Sequence, residues 1–268
     1  MSDNTPYSDA SDVCDLLAEQ KDLLWRIYND ATEPPGKVMP NADLFCFLLY
    51  HALNIRELAK AALVLMESRE PFGVAVLARP ALESAFNLMA AMNDVKFGPQ
   101  RMAFEMEDLA RKLDFLLSRQ VWPASRKPTP YQCRAAAADI RKRYNAPPPV
   151  DQSGRDRIKN IERIAEVAEL TPLYDDEYRQ LCLTVHSNQA GILNTGSGFM
   201  VRKGMLALCG ASLMACASLC DAYQLRPNYD AKLKEHEAEI GELMRRGECL
   251  PDRQTLSGSD PSAATQKN

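Results

Sequence analysis

Apolar residues recur every three to four positions through most of this chain, and that spacing leaves room for helices and little else. Over 43–68, Leu44, Phe47, Leu48, His51, Ile55, Leu58, Ala62 and Leu65 fall on one side of a helix. A strand needs alternation with a period of two, and none of useful length occurs. The nearest candidate, Val74-Ala75-Val76-Leu77, fits a helix equally well. The expected fold class is all-α, a multi-helix bundle around one core.

Proline, glycine and charge punctuate the pattern. Helix is expected at 8–30, 43–68, 71–93, 100–120, 131–144, 155–169, 174–190, 203–224 and 229–246. Pro34-Pro35-Gly36 ends the first of these. Pro80 lies inside the third, where its missing N–H predicts a kink or a fresh start. Pro123, Pro128 and Pro130 mark a loop, and Ala146-Pro147-Pro148-Pro149 reads as a stiff extended linker. The expected organisation is a single helical domain over 1–250, with 121–172 as a peripheral basic insertion and a polar disordered tail over 251–268.

With 46% hydrophobic and 25% charged residues, the composition is that of a soluble globular chain. A net charge of -4 excludes a global field that attracts nucleic acid or membranes. The local balance differs, with ten basic against four acidic residues over 126–163, and seven acidic against two basic over 1–30. The uncharged stretch 204–220 is 17 residues long, short of the roughly 20 that span a bilayer. It reads as a central core helix, and no membrane partner is expected. Eight cysteines without regular spacing, and no signal peptide, predict a reducing, cytoplasmic setting.

One segment carries candidate chemistry. Arg179 and His186 are seven residues apart, close to two helical turns, so they share a face. Metal-independent RNA cleavage needs a base for a ribose hydroxyl and a cation for the phosphate. Histidine supplies the first and arginine the second. Gln180, Ser187 and Asn188 add hydrogen-bonding groups beside them. With 20 arginines and three histidines in the chain, such spacing also arises by chance, and spacing alone favours a partly buried helix histidine bonded to a neighbouring carboxylate, with Arg179 exposed. Arg79 and Glu83, four residues apart, interrupt an apolar run and read as a buried ion pair that fixes helix register or orients Tyr178 or His186 across the core.

The segment Leu77-Ala78-Arg79-Pro80-Ala81-Leu82-Glu83-Ser84 resembles the Arg-Ser-Leu-Leu-Glu helix of bacterial helical proteins known only as domains of unknown function. Tyr178 followed by Val185-His186-Ser187 is similar to a later helix of theirs, and Arg101 and the Glu105-Glu107-Asp108 helix lie between, as in that family. Those families in turn resemble the HEPN superfamily of helical, often dimeric proteins, whose signature is Arg, four to six residues, then His. The resemblance implies a metal-independent endoribonuclease in a defence or toxin–antitoxin setting, with RNA, a homodimer partner and a cognate antitoxin or defence protein as partners. Arg179 would bind the phosphate and His186 would be the base or acid, with Arg79, Glu83, Tyr178 and Asn188 in support. Inactive relatives acting as binding or scaffold modules leave a non-enzymatic alternative.

Weaker signals complete the reading. Arg141, Lys142, Arg143, Arg155 and Arg157 could track an RNA backbone, or could be the solvated face of two outer helices. Cys182 with His186, and Cys216 with Cys220, have helical four-residue spacing, but structural zinc draws a ligand pair from a short turn. No metal or cofactor is expected.

Overall fold

The computed structural model describes residues 10–32, 42–121, 123, 127–145, 160–185 and 198–248. Every regular element among them is helical: α1 (Ser11–Thr32), α2 (Ala42–Glu67), α3 (Val74–Asn93), α4 (Phe97–Ser118), α5 (Pro130–Tyr144) and α6 (Ile161–Val167). A short turn, α7 (Thr171–Leu173), runs through a π-helical turn (Tyr174–Tyr178) into α8 (Arg179–Val185). The long helices α9 (Gly198–Ala222) and α10 (Arg226–Glu248) follow. The all-α expectation holds, as do the approximate positions of the long helices.

The apolar stripes become the core. On α1, Val13, Leu16, Leu17, Leu23, Leu24 and Ile27 are buried, and on α2, Phe47, Leu48, Ile55, Ala59 and Ala62. At the centre lies α9, packed against α1, α2, α3 and α10. Its length and apolar composition would suit a membrane span, but 61% of its apolar window is buried inside this bundle. Where α9 crosses α3, small residues let the backbones approach. A Cβ added at Gly204 would stand 3.1 Å from Ala75 Cα. Arg202, on the same helix, bridges Asp12 of α1 at 3.1 Å and the Leu243 carbonyl of α10 at 3.2 Å. That arrangement ties both outer helices to the central one.

Two expectations become narrower. No fresh helix starts at Pro80, because α3 runs through it from Val74 to Asn93. Ala78, Ala81 and Leu82 on either side are fully buried, and this packing offsets the backbone bond that Pro80 cannot make. Nor is 121–172 peripheral throughout. Helix α5 does pack outside the main core, against α4, where Ala137 and Ile140 meet Ala103, and Cys133 meets Ala110 and Leu113. Helix α6, by contrast, sends Ile164 and Ala165 into the main core beside α3.

Candidate functional site

The polar cluster that the fold assembles lies between α3 and the start of α8. Glu83 is one helical turn from Arg79 on α3, and the Arg79 Nε–H donates to Glu83 Oε1 at 3.2 Å. The Tyr178 hydroxyl donates to the same carboxylate oxygen at 2.6 Å and accepts from Arg79 Nε at 3.2 Å. The pair is not the buried one expected from sequence. The two side chains are 27% and 37% exposed, whereas Tyr178 is buried. Burial works against the Arg79 charge, but Tyr178, Cys182 and Glu83 outweigh it and hold the guanidinium above its ordinary value. Burial, then the bond to Glu83, pushes the Tyr178 phenol well up, so it stays a proton donor.

Local structure explains how Tyr178 reaches α3. The Arg179 N–H bonds to the Tyr174 carbonyl, an i to i−5 bond that widens the turn. Tyr174 and Tyr178 stack at 5.2 Å between centroids, and Phe86 of α3 meets Tyr178 edge-on at 5.9 Å. Lys203 of α9 closes the far side through Glu177 at 3.1 Å and Gln180 at 2.6 Å. The sequence reading missed both the π turn and the Lys203 contact. The four-residue spacing of the two tyrosines was the available signal for the stack.

Arg179 and the described basic residues of α5 make their contacts elsewhere. Arg179 projects outward, 58% exposed, with its terminal nitrogens 3.4 Å from Asp175 and 3.8 Å from Glu162 and its plane over the Tyr174 ring. It does not join the Arg79 cluster. His186 and Asn188 lie outside the described residues, as do Arg155 and Arg157. On α5, Arg141 pairs with Glu107 through both terminal nitrogens, and Arg143 reaches Asp43 at 2.6 Å and Asp139 at 2.8 Å. Those arginines are neutralised by acids of α2, α4 and α5 itself. Lys142 and Arg143 are both exposed, and of the three Lys142 alone makes no ion pair with the described residues.

Among the described residues, no group of three His, Cys, Asp or Glu side chains is placed to hold a metal. Burial pushes the Cys220 thiol up to about 11 and the Cys216 thiol higher, which disfavours the thiolate that zinc requires. His51, unassigned in the sequence, is buried against Phe47 with neither ring nitrogen hydrogen-bonded, and burial followed by the charge of Arg101 pushes it down to about 3.

A family of unknown function, DUF5677, matches residues 45–198. The chain belongs to the DUF5677 family. The matched region takes in α2 through α8, so Arg79, Glu83 and Tyr178 all fall within the DUF5677 segment. No curated protein and no solved structure matches the chain.

Proposed function

We propose that this DUF5677 protein is HEPN-like and acts as a metal-independent endoribonuclease, as a homodimer in a defence or toxin–antitoxin setting. The observation that carries the reading is the Arg79–Glu83–Tyr178 cluster. A guanidinium and a buried phenol converge on one oxygen of Glu83, with the Arg79 and Glu83 side chains partly open to solvent, directly before the helix of Arg179. A site of this kind holds an ionised group in fixed orientation while leaving it reachable, as phosphate chemistry requires. The π turn beneath it belongs to a class of distortion that recurs at functional sites. His186 follows on the same segment and is the expected base or acid.

The non-enzymatic alternative has its own support. Arg179, Arg141 and Arg143 all spend their charge on neighbouring carboxylates, which leaves a thin cationic track for RNA. Metal-free cleavage of single-stranded RNA, by wild type and His186→Ala, separates the two. The nuclease reading expects cleavage lost at unchanged melting temperature. No cleavage by either protein, with a clear drop in melting temperature for the variant, favours the module.

A further inference from the structure

Arg79 is held by one edge only. Both of its hydrogen bonds run from Nε, to Glu83 Oε1 and the Tyr178 hydroxyl. Its two terminal nitrogens make no hydrogen bond with the described residues, yet they are not among the buried unsatisfied atoms, so solvent reaches them. Arg246 is also bonded through Nε, to Glu242 on its own helix, but Arg79 adds to such a bond a second Nε contact from another element, the Tyr178 hydroxyl. Arg141, Arg163, Arg179, Arg202 and Arg226 all direct terminal nitrogens at carboxylates. Glu83 mirrors the arrangement: Oε1 takes both bonds, and Oε2 has no partner among the described residues and is likewise not sealed off.

We infer that Arg79 is a phosphate-binding residue, whose outward fork takes one phosphate of an RNA chain while Glu83 Oε2 accepts a hydrogen bond from the neighbouring ribose hydroxyl. A planar guanidinium fixed at Nε presents two parallel N–H groups matched to two phosphate oxygens. Anchoring by Glu83 and Tyr178 removes rotamer freedom before the ligand arrives, which lowers the ordering cost of binding. Glu83 also sets the ligand class. An anion without a donor is repelled by the carboxylate, but one that carries or adjoins a hydroxyl, as protonated inorganic phosphate and a ribonucleotide linkage both do, satisfies both groups. In the ribonucleotide linkage the 2'-hydroxyl is that donor, and it is what distinguishes RNA from DNA. This inference rests on the proposed RNA-directed function for its choice of ligand, but not on cleavage.

The test begins with the unaltered full-length protein. Phenylglyoxal labelling, mapped by mass spectrometry, should modify Arg79 and spare Arg141 and Arg202, and inorganic phosphate should protect Arg79. Binding of a labelled single-stranded RNA, followed by anisotropy, should weaken about tenfold in Arg79→Gln and lose about one unit of salt dependence. Arg79→Lys, which keeps the charge and a link to Glu83, should also weaken binding at unchanged melting temperature. Glu83→Gln should narrow the preference for RNA over the matching DNA. Phosphate protection and RNA binding without cleavage would uphold Arg79 and sink only the nuclease reading. Absent protection, or RNA affinity unchanged in folded Arg79→Lys, overturns the inference.

Discussion

Replacing Gly204 by alanine should destabilise the protein, while the same change at Gly210, on the same helix, should stabilise it. In a helix interior, alanine is favoured over glycine by about 1 kcal/mol. At Gly210 nothing lies within 4 Å of the added methyl, so that gain is realised. At Gly204 the methyl would stand 3.1 Å from Ala75 Cα, 3.2 Å from Ala75 N and 3.3 Å from Val74 Cγ1. Two of these three atoms are backbone of α3, which is packed on its other sides by α2, α6 and α8 and cannot yield as a side chain would. Overpacking of this kind costs about 1–3 kcal/mol, which outweighs the propensity gain and leaves a net loss of about 1 kcal/mol. For a chain of this size, each kcal/mol corresponds to about 2–4 °C in melting temperature. Urea and thermal melts followed by circular dichroism should therefore place the two variants on opposite sides of wild type. Equal stabilisation by both would refute the close approach of α9 and α3.

Tyr178→Phe removes the donor that lies 2.6 Å from Glu83 Oε1, a charge-assisted bond that should cost about 1.5–3 kcal/mol in urea melts. In a double-mutant cycle with Glu83→Gln the two changes should couple by at least about 0.5 kcal/mol, and simple additivity would dissolve the cluster into independent contacts. His51 titrates lower in the fold, about 3, than the ordinary 6.5, so the unfolded chain takes up its proton first. Its contribution is intact above pH 6.5 and is lost as pH falls towards 3, with a slope of up to about 1.4 kcal/mol per pH unit. Stability measured from pH 7 to 4 should fall less steeply for His51→Leu than for wild type, and parallel curves would show that the ring is not sealed from water.

Local periodicity made the helices legible, because amphipathic spacing is a property of each segment alone. The uncharged run over 204–220 likewise announced a helix enclosed by others, and α9 is that helix. The Arg79–Glu83 pair could be read from its spacing too, since neighbours one turn apart on a helix meet whatever surrounds them. Tyr178 could be named only as one of two groups, with His186, for the pair to meet across the core, because 95 residues separate it from Glu83.

Arg179 shows where that legibility stops. Its spacing from His186 is a local fact, but its partner Glu162 comes from another helix, as Glu107 does for Arg141. Charge is attracted to whatever opposite charge the fold brings within a few ångströms, and periodicity carries no record of which helices become neighbours. Thus the chain's own pattern determined the helices, their apolar faces and the short-range ion pairs. The packing of α3 against the π turn decided that Arg79 gains Tyr178 as a second partner at Nε, while the packing of other helices decided which guanidinium groups pair with distant carboxylates.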